Sequence, residues 1–330
     1  MIVTERAPAK LNLYLHVTGK REDGYHTLDS LVAFADVGDV ITVEPHKDHE
    51  GLSLSLTGPY AADVPSGPDN LVLKAARLLA ERLGVQANAH ITLEKNLPVA
   101  SGIGGGSTDA AATLRALVKF WALKLSDKQI HQAANLIGDD SNTRLTLETL
   151  FSSWSDDLCS AQMDDLALRL GADVPVCLEG RTVFMAGIGE QLTLAPPLPS
   201  PVWIVLANPH VALSTPSVFN ARTDGFSTAQ PFYETPKDVQ GLVKLLAQRK
   251  NDLAAPAIAL APKIQDVLDA LNAQNNCLLA RMSGSGATCF AIFSSQASAL
   301  SAQDNLAETQ PLWWVKAARI MDSPDAKNWL

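Results

Sequence analysis

Long apolar runs are missing from this chain: no stretch approaches the ~18 residues of a membrane-spanning helix. Met1-Ile2-Val3-Thr4-Glu5-Arg6 carries neither the apolar core of a signal peptide nor the composition of a transit peptide. Cysteine is scarce. Cys159, Cys177, Cys277 and Cys289 include no Cys-x-x-Cys pair, which argues against a zinc site and against a disulfide framework. Positive charge is in deficit, with a formal net charge of −9, so no general surface for nucleic acid or anionic membrane is expected. An anionic substrate must then be met by locally placed cations and backbone N–H groups. Internal repeats and low-complexity tracts are absent too. These absences lead to the expectation of a reduced, cytoplasmic protein with inert thiols.

What is present is an ordinary globular composition, 47% apolar and 18% charged, in 330 residues, enough for two domains or one large one. The seam is predicted at Ala195-Pro196-Pro197-Leu198-Pro199-Ser200-Pro201, where four prolines in seven residues exclude regular structure. It divides residues 1–197 from 198–330. Before it, strand patterns at 2–5, 10–17, 40–44, 52–56, 89–94 and 182–186 accompany helical ones at 70–83, 107–123 and 162–170. After it come a buried strand at Val202–Leu206, helices at 237–248 and 263–273, and a strand at 287–293. Strands and helices do not alternate regularly, which predicts an α+β arrangement.

The most informative stretch is Pro98-Val99-Ala100-Ser101-Gly102-Ile103-Gly104-Gly105-Gly106-Ser107-Thr108, a glycine-rich loop between a strand and an amphipathic helix. Glycines let backbone approach a ligand, and a helix N-terminus adds unpaired N–H groups and partial positive charge, which suits phosphate. No lysine lies within the loop, so it is not a Walker loop, and Ser107 stands where a dinucleotide fingerprint needs a third glycine. The hydroxyls of Ser107 and Thr108 suggest a phosphate oxygen, or magnesium bound to phosphate, as target.

Lys10-Leu11-Asn12-Leu13-Tyr14-Leu15-His16-Val17 alternates strictly, so Lys10 and Asn12 project the same way, ~6–7 Å apart. A solvated edge-strand face explains the pattern equally well. Asp23-Gly24-Tyr25-His26 reads as a tight turn presenting a ring and an imidazole side by side, suited to a flat base or simply a surface turn. In Gly171-Ala172-Asp173-Val174-Pro175, Gly171 suits a helix C-cap and the connection leads into a strand at Val176–Leu178. Asp173 there either accepts a proton or bonds its own turn. Ala186-Gly187-Ile188-Gly189-Glu190 reads as a hairpin turn, and Met282-Ser283-Gly284-Ser285-Gly286-Ala287 as a loop whose backbone can approach a ligand.

Taken in order, Pro8-Ala9-Lys10-Leu11-Asn12-Leu13, the 98–108 loop and Met282–Gly286 resemble the three motifs of the GHMP kinases. Asp23–His26, Asp69-Asn70-Leu71, Gly171–Pro175, and Asn208-Pro209 leading to Thr215-Pro216 are similar to the subgroup acting on a cytidine diphosphate-linked methylerythritol. The resemblance implies a two-domain fold, N-terminally like ribosomal protein S5 domain 2 and C-terminally ferredoxin-like. It implies transfer of the γ-phosphate of ATP, with Mg2+, to the 2-hydroxyl of the methylerythritol, in non-mevalonate isoprenoid synthesis. By the same resemblance Asp173 is the base, Lys10 its partner, Ser107 the magnesium contact and the 98–108 loop the triphosphate cradle. Tyr25 and His26 match the cytosine pair, and Asn12, Ile188, Thr215 and Phe219 the methylerythritol diphosphate site. Asn70, Leu71 and Lys95 match the adenosine pocket. A monomer or weak homodimer is expected. The alternatives are a sister small-molecule kinase and a non-catalytic nucleotide-binding relative. Two departures stand out: Ser107-Thr108-Asp109 replaces the usual Ser-Ser-Asn, and extra sequence appears at 134–160, a surface excursion, a lid or an oligomer contact.

Overall fold

The computed structural model describes residues 2–46, 51–122 and 161–321, so the extra stretch at 134–160, with Cys159, lies outside the described residues. The chain opens with a long hairpin, β1 (Val3–Lys20) and β2 (His26–Glu44), joined through the Asp23–Tyr25 turn. The segments expected at 2–5 and 10–17 are thus one strand. Pro8 interrupts the pattern but not the strand: the register slips between Pro8 and Ala9, and Gly38 stands opposite. Any side chain at Gly38 would run into the Ala7 carbonyl. Only glycine lets the two strands close there.

β3 (Leu52–Thr57) follows, then α1 (Leu71–Leu83), β4 (Ala89–Glu94), α2 (Gly105–Ala122), α3 (Ala161–Leu170), α4 (Val174–Glu179), β5 (Val183–Gly187) and β6 (Gln191–Leu194). The expected strand at Val176–Leu178 is helical instead: Pro175 is accommodated in the first turn of α4, and Gly180 in the left-handed conformation ends it. Beyond the proline-rich seam come β7 (Val202–Asn208), α5 (Thr215–Asn220), α6 (Val239–Ala247), α7 (Ala254–Leu260), α8 (Lys263–Asn272), β8 (Cys277–Met282), β9 (Cys289–Phe293), α9 (Gln296–Thr309) and β10 (Trp314–Ile320). This is an α+β fold.

One sheet of ten strands runs through the described residues, in the order β3-β4-β2-β10-β7-β9-β8, with β1 and β5 also paired to β2 and β6 to β5. β2 and β10 meet at the single pair Ile320 and Ala35, reinforced by the Met321 N–H donating to the Phe34 carbonyl at 2.8 Å. Among the described residues, three apolar clusters fill the interior. The first packs α1, α2, α3 and α4 against β2 and β4. Leu114 and Leu117 of α2 are fully buried there, each worth about 1.5–3 kcal/mol relative to exposure. The second surrounds β1, β7 and α6, and the third packs α7, α8 and α9 on β7 and β9. Among the described residues, no helix is long and apolar enough to cross a membrane.

Candidate active site

The glycine-rich loop lies between β4 and α2, which opens at Gly105. Two glycines explain its path. Gly104, at φ +66°, passes directly over Lys10, so a Cβ there would sit 3.0 Å from Lys10 Cβ and 3.3 Å from its Cε. The Lys10 N–H donates to the Ile103 carbonyl at 2.9 Å, which fastens β1 beneath the loop. Gly102, at φ +76°, lies against the turn between β8 and β9, where a Cβ would come within 2.5 Å of the Gly286 carbonyl oxygen. The Thr288 N–H donates to the Ser101 carbonyl at 3.0 Å, and Ser283 Oγ accepts from the Asn12 N–H at 3.1 Å. Three motifs remote in sequence therefore converge on one cleft of about 590 Å³.

Across this cleft Lys10 Nζ meets Asp173 Oδ2 at 2.8 Å. Asp173 is the N-cap residue of α4 but its side chain caps nothing, which leaves the carboxylate for Lys10. Lys10 is 4% exposed and Asp173 40%, so the ammonium is held in the wall while the carboxylate reaches into the opening. The polar face of β1 is consequently not solvated: Lys10, Asn12, Tyr14 and His16 are all buried.

Pro98, Val99, Ala100, Ser101, Gly102, Gly104, Gly105, Gly106 and Ser107 line the cleft. Ile103 does not; its side chain is in the core. Thr108 turns back, its hydroxyl donating to the Gly105 carbonyl at 2.9 Å. Asn12 donates from Nδ2 to Ser30 Oγ at 2.8 Å, and its Oδ1 is buried with no partner among the described residues. Thr215 and Phe219 line the cleft from α5, Thr215 Oγ1 lying 2.8 Å from Ser285 Oγ. Ile188 lies at the β5–β6 turn with its N–H held by Glu190, and Met185 of β5 reaches the cleft instead. The His26 ring stacks on Phe219 at 4.8 Å and 21°, not on Tyr25, which is exposed. Burial, with Lys20 and Arg222 nearby, holds the imidazole of His26 below its ordinary pKa, which favours the neutral ring.

Two residues matched to the adenosine pocket act mainly on the scaffold. Asn70 caps α1, accepting from the Val72 N–H at 2.8 Å and donating to the Pro65 carbonyl at 2.7 Å. Leu71 contributes an apolar wall. The ammonium of Lys95 is buried between Asp39 at 2.5 Å and Asp109 at 2.7 Å. Asp39 also accepts the N–H groups of Asn96 and Leu97 at 2.6 and 2.8 Å, fixing the entry to the loop. Burial opposes the charge on Lys95, but Asp109 and Asp39 outweigh it and raise its pKa. Burial pushes the Asp109 carboxyl up to about 8 against the pull of Lys95, and Asp39 adds to the rise.

Sequence reasoning missed Asp39 and Ser285. The first is a lone acid in the apolar run Val37-Gly38-Asp39-Val40-Ile41, a detectable signal. The second stood inside a motif already singled out, without a property to separate it from its neighbours.

Comparison with known proteins gives a consistent picture. The model of the GHMP kinases N terminal domain matches residues 70–146, and that of the GHMP kinases C terminal matches 234–312. The 4-diphosphocytidyl-2-C-methyl-D-erythritol kinase of Paramagnetospirillum magneticum is 47% identical, over 96% of this chain and 97% of that one. Its counterpart from Rhodospirillum rubrum is 49% identical, over 97% and 93%. A crystal structure of 4-(cytidine 5'-diphospho)-2C-methyl-D-erythritol kinase superposes with a TM-score of 0.70 at 31% identity, covering 96% of this chain and 98% of that one.

Proposed function

The chain belongs to the 4-diphosphocytidyl-2-C-methyl-D-erythritol kinases, within the GHMP kinases, and we propose that it moves the γ-phosphate of ATP to the 2-hydroxyl of that sugar alcohol, in non-mevalonate isoprenoid synthesis. The observation that carries the chemistry is the Lys10–Asp173 pair, 2.8 Å apart beneath the glycine cradle. An alcohol is a weak nucleophile. Asp173 accepts its proton while the hydroxyl oxygen bonds to the γ-phosphorus and the bridge to the β-phosphate breaks, releasing ADP. The Lys10 ammonium faces the negative charge that develops on the attacking oxygen. Since phosphoryl transfer has a loose transition state, positioning by the cradle supplies much of the rate.

Among the described residues no group of three or more His, Cys, Asp and Glu side chains forms a metal site, and Asp173 and Asp109 already face lysines. Ser107 offers one neutral oxygen in the first turn of α2. That donor set fits a magnesium ion that arrives on the triphosphate and retains water and phosphate ligands. Held beside Ser107, such an ion would neutralise phosphate charge.

His26 and Tyr25 hold the cytosine, with Phe219 beside the imidazole. The free Oδ1 of Asn12 accepts from an acceptor hydroxyl, and Thr215 and Ile188 complete that half of the site. Leu71 packs on adenosine, while Asn70 and Lys95 support the pocket from behind. Residues 1–197 form the nucleotide-binding domain and 198–330 the domain that contributes Thr215 and Phe219. The protein works in the cytoplasm as a monomer or weak homodimer and binds no nucleic acid.

The test is ATP-dependent phosphorylation of four acceptors in parallel: the cytidine diphosphate sugar alcohol, homoserine, galactose and mevalonate. Turnover of the first alone is expected. Comparable turnover of any other overturns the proposal.

A further inference from the structure

Lys10, Asp173 and the cradle come from three separate elements, β1, α4 and α2, and one buried side chain of α2 bonds to the other two. Arg115 lies on α2, about three turns beyond Gly105. Its Nη1 donates to the Cys177 carbonyl of α4 at 3.2 Å, and its Nη2 to the Arg6 carbonyl of β1 at 3.0 Å. Its Nε donates to Glu5 Oε2, also on β1, at 3.3 Å. Arg6 lies four residues before Lys10 on the same strand. The Cys177 N–H in turn donates to the Asp173 carbonyl at 3.2 Å, so Arg115 grips the peptide one helical turn past the carboxylate.

α4 has only six residues, too few to fix its own geometry by internal hydrogen bonds. The last carbonyls of any helix lack partners inside it, and Arg115 satisfies one of them while placing positive charge at the negative end of the helix. The other end is tied by the Lys10–Asp173 contact. A guanidinium present only to neutralise Glu5 would need neither carbonyl, and Lys119 already meets Glu5 Oε1 at 2.6 Å.

We infer that Arg115 is a positioning residue for phosphoryl transfer: it holds α4 against β1 and α2, and so sets the Asp173 carboxylate relative to Lys10 and the cradle without touching substrate. The inference rests on Asp173 being the base.

The experiment compares Arg115→Met, Arg115→Lys and Asp173→Asn with the unaltered full chain. ATP-binding sites are counted by titration with a non-hydrolysable ATP analogue, and turnover is expressed per binding site. Arg115→Met should lower turnover per site about 10- to 100-fold, the size of an effect from misplacing a reacting group by ~1 Å. The KM for ATP should stay within about threefold, because the cradle is untouched. Arg115→Lys, which retains the charge and one donor direction, should fall between. If Arg115→Met fails to fold, Glu5→Gln combined with Arg115→Met removes the carboxylate left behind and is measured instead. A purely structural role predicts fewer binding sites with normal turnover at each, and that result overturns the inference. So does loss of nucleotide binding in both variants. Asp173→Asn separates the two claims: normal turnover there defeats the base reading itself. An inactive Asp173→Asn beside a fully active Arg115→Met defeats only the role of Arg115.

Discussion

Replacing Gly104 by alanine tests whether the cradle and Lys10 form one unit. The backbone at Gly104 has φ +66°, and holding a non-glycine residue there costs on the order of 1–3 kcal/mol. The new methyl would stand 3.0 Å from Lys10 Cβ, closer than ordinary carbon contacts. That Cβ is the root of the side chain and cannot step aside, because Lys10 is paired with Phe34 across the hairpin and its N–H is bonded to Ile103. Either the loop lifts or the lysine stem swings, and the 2.8 Å contact with Asp173 lengthens. Thermal melting should therefore show a loss of about 1–3 kcal/mol. Single-turnover phosphotransfer should slow by about 10- to 100-fold. Gly106→Ala is the control for stability: its methyl meets only Leu71 Cδ1 at 3.4 Å, and it lies within α2. Alanine is the better helix former by about 1 kcal/mol, so this variant should melt no lower than the original. Wild-type melting and turnover for Gly104→Ala would refute the argument.

Asp173→Asn should fold and bind ATP yet lose about 10²- to 10⁴-fold in turnover, the usual contribution of a general base; near-normal turnover would exclude that role. His26→Ala should raise the KM for the cytidine diphosphate acceptor and leave the KM for ATP almost unchanged, and equal effects on both would contradict base recognition. Asp109→Asn should flatten the pH dependence of stability. With its carboxyl pushed up to about 8, folded Asp109 keeps a proton that the unfolded chain releases above about pH 4, so this group's contribution is full below pH 4 and is lost as pH rises to about 8. The variant's melting temperature should thus gain on the original from pH 5 to pH 9, and parallel curves would refute the assignment.

Elements with a strong period and clear boundaries were legible in the sequence. α1 has Asn70 at its start, Gly84 in the left-handed conformation at its end and one apolar face between them. α4 was not legible, because Val174-Pro175-Val176-Cys177-Leu178 is buried on every side and a short apolar run has the same appearance in a helix and a strand. β2 was longer than its signal, since Asp29, Ser30, Asp36 and Asp39 break the alternation for reasons of hydrogen bonding. At the site, glycine spacing pointed to the loop that lines the cleft, but not to which of its residues face inward, as Ile103 and Thr108 do. Whether the Lys10 face met solvent or a ligand was not legible, because the covering groups come from residues 102–104 and 173, far along the chain. Thr108 and Asp109 show the same limit: adjacent to Ser107, both turn inward, and only tertiary contacts decide that.

The seam where Gly102 meets Gly284 and Gly286 is mainly peptide against peptide, with the Ser283 hydroxyl donating to the Gly102 carbonyl at 3.2 Å. An inhibitor that took its grip from the amide groups on the open side of this seam would rely on atoms every residue shares. Resistance by substitution would then have to come from elsewhere, since any larger residue at Gly102 or Gly284 drives the two loops apart and disables the enzyme along with the drug's foothold.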